Sequence, residues 1–201
     1  MMRHAKAGQG REDLFGRALT GFAALALLTM IVTGCTGKDF AALRPGLESR
    51  GAYIEGVPFY QQSDPTSGAA ALAGMLDYLG HPEDLERITK KIYHPDLSDA
   101  PPWDMERYAR EAGFKSEASS GSFGELKAYI RKGTPVICLL DIGFGFDHKP
   151  LYVMVIGFDD VHEVFIVHDG SAPNGLIGYK KFNKKWIRAG YWMLVIEQRR
   201  T

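Results

Sequence analysis

The chain has 201 residues, 45% of them hydrophobic and 24% charged, with 24 basic side chains against 24 acidic ones. This composition is that of an ordinary globular protein and excludes a disordered polyelectrolyte. No three basic residues are consecutive and Arg199-Arg200 reads as a solvated tail, so nothing points to a nucleic-acid partner, and two cysteines exclude a disulfide-stapled scaffold.

The N-terminus reads as a targeting segment. Arg3, Lys6, Arg11 and Arg17 precede an apolar stretch from Gly21 to Val32, which is short for a bilayer span. It runs into Val32-Thr33-Gly34-Cys35, which resembles the lipobox of bacterial lipoproteins. That resemblance implies a signal peptide over 1–34, a lipidated Cys35, and a tether over 35–50 ahead of a folded domain over 51–201. The membrane would then be a partner through Cys35, with the domain facing the periplasm. Thr36, in place of an Asp, points to the outer membrane. Without the first 34 residues the chain keeps 20 basic and 22 acidic residues, a small net negative charge.

Along the body, Lys38 to Glu48 reads as polar tether and Ala52 to Phe59 as extended chain. Leu72, Met75, Leu76 and Leu79 recur at helical spacing, so Gly68 to Leu79 is predicted to be a helix buried on nearly all sides. Its many Ala and Gly residues would let other backbone approach closely. Further helices are expected over Asp84–Tyr93 and Trp103–Ala112. Another follows from the capping-box spacing of Ser122 and Glu125, running through Arg131 to the stop at Gly133 and Pro135. A short strand is expected over Phe114–Ala118. The second half is β-rich, with runs at Val136–Leu140, Tyr152–Phe158, Val164–Val167, Leu176–Tyr179 and Tyr191–Ile196. Helices first and strands after is an α+β order in one domain. Cys138 lies inside an apolar run, the setting of a buried small hydrophobe rather than a nucleophile.

The stretch that carries chemistry is Tyr60-Gln61-Gln62, then Ser67-Gly68 at the start of the buried helix. A helix N-terminus presents N–H groups that favour an anion, and Gln61 is positioned to add a side-chain donor. The bland reading of Ser67 is a helix N-cap. Beyond the opening, Gly133-Thr134-Pro135-Val136-Ile137, Leu151-Tyr152-Val153-Met154-Val155-Ile156-Gly157-Phe158-Asp159, Phe165-Ile166-Val167-His168-Asp169 and Arg188-Ala189-Gly190-Tyr191-Trp192 follow in order.

Together these segments resemble the double-glycine leader peptidases, the bacteriocin-processing members of cysteine-peptidase family thirty-nine. The resemblance implies a papain-like fold, with N-terminal helices packed on a C-terminal antiparallel sheet. It also implies a Cys–His–Asp triad, with Gln61 in the oxyanion hole. Here the Cys position holds Ser67, the His position holds Leu151, and Asp169 matches the Asp. A hydroxyl without an adjacent base is not activated, so the expected molecule is a pseudopeptidase.

The family's groove takes an extended leader, which implies a peptide or protein ligand contacted by Tyr60, Gln61, Ser67, Gly68, Trp103, Phe144, Phe146 and Tyr152. For Trp103 and Tyr152, plain core packing is the competing reading. Two alternatives stay open: a hydrolase or acyltransferase using Ser67 with His148 as a relocated base oriented by Asp169, and a purely structural envelope lipoprotein. His168 reads as structural or exposed. The remaining histidines lack ligand spacing, so neither a metal site nor a cofactor is expected.

Overall fold

The structure is a computed structural model that describes residues 39–61, 67–97 and 100–199. The expected signal peptide and Cys35 lie outside the described residues, as do the residues between Gln61 and Ser67. The described residues form one compact unit.

That unit starts earlier than the sequence predicts. Helix α1 (Phe40–Leu43), capped by Asp39, and a 3-10 turn at Leu47–Ser49 fold back onto the domain. Leu43 and Leu47 are buried, and Phe40 lies 4.8 Å from the Tyr53 ring. These apolar residues tie the second half of the expected tether into the fold. Arg50 completes the join by bonding Asp159 and the carbonyl of Leu43.

Strand β1 (Gly51–Tyr53) precedes three helices, α2 (Ser67–Tyr78), α3 (Leu85–Ile92) and α4 (Pro102–Glu111). Asp84 caps α3 through the Arg87 N–H, and Pro sits in the first turn of α4 where its missing N–H costs nothing. Then come β2 (Lys115–Ser120), α5 (Phe123–Arg131), β3 (Val136–Asp141), β4 (Pro150–Asp159), β5 (Val164–His168) and β6 (Gly175–Gly178). Helix α6 (Tyr179–Arg188) and β7 (Trp192–Glu197) close the chain. The strands pair antiparallel in the order β2-β7-β3-β4-β5-β6, with β1 on the far end of β4.

The sheet is covered on both faces, which is why its strands read as unbroken apolar runs. Alternate residues serve different cores. Ile137, Tyr152, Met154, Ile156 and Ile166 face α2, α3 and α4, whereas Cys138, Leu140, Val153, Val155 and Val167 face α5 and α6. Burial also pushes the Cys138 thiol pKa far up, leaving it unreactive at neutral pH.

Helix α6 is absent from the sequence-based prediction, which ends the preceding strand at Tyr179 and leaves a loop. Phe182 and Trp186, four apart, are fully buried, and the Phe165 and Phe182 rings lie 4.6 Å apart. With α5, this helix covers the face of the sheet opposite α2, α3 and α4.

Candidate peptidase-like site and its surroundings

Helix α2 is buried along ten consecutive residues from Ser67 to Leu76, and its small residues explain how. A side chain at Gly74 would come within 2.9 Å of the Pro58 carbonyl and 3.0 Å of Met154 Cε. One at Gly68 would meet Ala100 at 3.0 Å, Met105 at 3.2 Å and the Tyr152 ring at 3.2 Å. Backbone and aromatic ring thus press directly on the helix that presents Ser67.

Ser67 is 4% exposed, and its Oγ accepts a hydrogen bond from the Tyr152 N–H at 3.1 Å. The Tyr152 ring runs beneath the start of α2 and donates its hydroxyl to the Ala100 carbonyl at 2.8 Å. It also makes an edge contact with Trp192. What remains is a pocket of about 10 Å³, lined by Pro58, Tyr60, Ser67, Tyr152, Met154 and His168 among others. That is room for about one water molecule. Tyr60 is fixed along its wall by a 3.0 Å bond to Asp77.

His168 is the residue that sequence reasoning missed here. Its strand parity with Ile166, which faces the helices, carried the signal. It is buried, and both ring nitrogens are engaged. Nε2 lies 3.1 Å from the Val57 carbonyl, and Nδ1 accepts from the Asn174 N–H at 3.2 Å. This fixes the neutral tautomer with Nε2 protonated. Asn174 adopts φ 57°, a conformation that Asn tolerates, and its side chain accepts from the Tyr53 hydroxyl at 2.9 Å. Burial, partly offset by the bond to Val57, holds the His168 pKa below the ordinary imidazole value. An imidazole with its lone pair on a backbone N–H cannot take a proton from Ser67 without breaking that bond.

The residue beside Ser67 is therefore Tyr152, not Leu151. Leu151 pairs with Leu140 across β3 and β4 and packs on the opposite core. In a strand, neighbours point to opposite faces, so the two positions cannot exchange roles. Asp169 accepts from the Ser171 N–H and hydroxyl and the Ala172 N–H, within its own turn.

Nor does Asp169 orient His148. His148 lies in the β3–β4 loop with its Nδ1 2.5 Å from Asp141 Oδ2, and its side chain is 72% exposed. Asp141, buried at the end of β3, also accepts from the N–H groups of Gly143 and Lys149 and from Arg188. Burial alone would raise the Asp141 pKa, but these donors outweigh it and hold the carboxyl well below the usual range.

Three expected groove residues stand away from the pocket. Phe144 and Phe146 are 93% and 103% exposed at the loop tip, and Trp103 is 64% exposed at the start of α4. Gln61 is exposed as well. The hairpin tip is held out because Asp147 N–H bonds back to the Phe144 carbonyl, closing a local turn. Among the described residues, no cluster of three or more His, Cys, Asp or Glu side chains is placed to hold a metal ion.

The model of the Peptidase_C39-like family matches residues 54–193, taking in the pocket, β4 and the closing segment. The chain belongs to the Peptidase_C39-like family. Solved structures with the same fold include one described as a C39-like peptidase from Bacillus anthracis. It is 18% identical over 76% of this chain and 100% of that one, with a TM-score of 0.61. The peptidase domain of Streptococcus ComA, a bifunctional ABC transporter of a quorum-sensing pathway, is 16% identical over 71% of this chain and 99% of that one, with a TM-score of 0.57. A double-glycine-motif protease from an AMS/PCAT transporter, in complex with its leader peptide, is 18% identical over 73% and 94%, with a TM-score of 0.56. At these identities the likeness is one of fold. No curated protein matches the chain.

Proposed function

We propose that this Peptidase_C39-like protein is a lipid-anchored pseudopeptidase of the bacterial envelope that binds a peptide or protein partner without cleaving it. The carrying observation is the state of the Ser67 pocket. The hydroxyl is buried against the Tyr152 N–H, and both nitrogens of the neighbouring imidazole, His168, are committed to backbone groups. Among the described residues, the imidazole that shares the pocket with Ser67 is already engaged at both nitrogens, and the pocket has room for about one water molecule. The double-glycine protease captured with its leader peptide makes a peptide the natural ligand class. The N-terminal sequence supports an anchor at Cys35, periplasmic exposure and the outer membrane.

The test is turnover by the full-length protein on double-glycine leader peptides, beside Ser67→Ala. The expected result is no cleavage by either, with peptide binding retained in both. Cleavage that Ser67→Ala abolishes would overturn the reading.

One observation favours a second reading. His148 pairs with Asp141 and leaves its Nε2 edge toward solvent, the arrangement of an oriented base. A hydrolase using that dyad predicts fluorophosphonate labelling of Ser67 that His148→Ala removes. Absence of labelling in the wild type rejects it.

A further inference from the structure

Helix α6 carries Lys180, Lys181, Lys184, Lys185 and Arg188, and no acidic residue. Phe182 and Trp186 turn inward, while Lys180, Lys181 and Lys184 are exposed and Ile187 is 53% exposed. Of the carboxylates near the two ends of the helix, Asp160 is already held by Lys127 and Arg131, and Asp141 by Arg188. Among the described residues, no carboxylate pairs with any of the four lysines. Lys185 has its pKa lowered, by burial first and by Lys181 second. In a chain of zero formal net charge, this one helix concentrates uncompensated cations.

The exposed aromatic loop is continuous with that helix. Arg188 ends α6 and donates from its guanidinium to Asp141 and, at 3.2 Å, to the Asp147 carbonyl, which fixes the β3–β4 loop to the helix end. The loop tip holds Phe144 and Phe146, both almost fully exposed. Fully exposed rings on a protruding turn are rare in a soluble protein unless something covers them. Beside a lysine helix they form the pairing that interfacial membrane proteins use: apolar side chains that enter the acyl boundary and cations that meet anionic headgroups.

We infer that the lysine face of α6 and the Phe144–Phe146 tip form a second membrane-contact surface that binds anionic phospholipid. The inference builds on the reading of an anchor at Cys35, only four positions before Asp39, which keeps the domain at a bilayer. Cations beside an anionic surface are attracted by its negative potential, so this surface would orient an already tethered domain.

The experiment uses the full lipidated protein in vesicles of phosphatidylcholine alone or mixed with phosphatidylglycerol. An amine reagent reports the accessibility of Lys180, Lys181 and Lys184 against Lys91 on α3. In anionic vesicles the α6 lysines are expected to label about fivefold more slowly than in neutral ones, with Lys91 unchanged. K180E/K184E should abolish the protection of Lys181, and F144D/F146D should reduce it. Equal labelling in the two lipids overturns the proposal. So does protection seen in intact cells but absent from anionic vesicles, which would assign the surface to a protein partner. Alkaline extraction separates the two readings. A protein that resists extraction but labels equally keeps its anchor and loses this surface. One that is extracted yet protected by anionic lipid keeps the surface and loses the anchor.

Discussion

The two faces of the sheet carry opposite kinds of polar chemistry. On the front, beside α2, Ser67 and His168 are buried and bonded to backbone groups inside the domain. On the back, α6 sends its lysines outward with no carboxylate to meet them among the described residues. A buried polar group left unpaired costs stability, so burial has forced the front into complete internal pairing. Solvated cations face no such demand, and their arrangement is left to binding. In this molecule the pocket at Ser67 belongs to the buried front of the domain, whereas the exposed cations and rings lie on α6 and at the β3–β4 loop tip.

Replacing Tyr152 with Ala should give the largest effect and tests whether the front pocket is truly core. It removes a ring that supports the start of α2 and a hydroxyl bonded to Ala100. A loss of about 3–5 kcal/mol is expected in urea unfolding. A loss below about 1 kcal/mol would mean that the pocket is a loosely filled cleft and would break the contrast.

Next comes Arg188→Met, where the two regions meet. It deprives a buried carboxylate of a charged donor and should cost about 1–3 kcal/mol at pH 7. The pH dependence has a definite sign. The folded-state pKa of Asp141 is depressed, so its stabilising contribution is complete above the unfolded value of about 3.9 and is lost as pH falls through the lower folded value. Because the variant's Asp141 pKa is less depressed, its deficit against the wild type should shrink in unfolding measured near pH 3.

His168 sharpens the comparison through a milder effect. Its folded pKa is lowered, so the unfolded chain takes up the proton first as pH falls below about 6.5. Stability should decline from that pH downward, and His168→Gln should flatten that part of the curve even if it lowers stability throughout. An unchanged slope would place the titration elsewhere.

Smallest of all should be Lys184→Glu and Phe144→Ser, each within about 0.5 kcal/mol of the wild type in thermal unfolding, because both side chains are exposed. A larger change would give the back surface a structural role.

Much of the fold is legible along the chain. The apolar spacing of Leu72, Met75 and Leu76 specifies a buried helix, the Ser122–Glu125 pair starts another, and the apolar runs become β3, β4, β5 and β7. The site was legible in outline only. Ser67 and Tyr60 do line one pocket. The structure puts Tyr152 rather than Leu151 against Ser67, because a motif fixes order along the strand but not which face each side chain takes. His168 reads in sequence as structural or exposed, and the structure makes it structural, because it is buried and bonded to Val57 and Asn174. The four-residue spacing of Phe182 and Trp186 fits α6, but that helix follows the strand-like run of β6 directly, with no turn signal between them.

The sequence by itself determined the family, the α+β order and the serine that opens the buried helix, since these rest on residue identity and local periodicity. Only the tertiary structure decided that Tyr152 stands beside Ser67, that Asp141 rather than Asp169 holds His148, and that Arg188 joins the lysine helix to the aromatic loop. Each of those is a contact between residues on different elements or across a sheet register. Such contacts are fixed by how the layers pack, which no local pattern encodes.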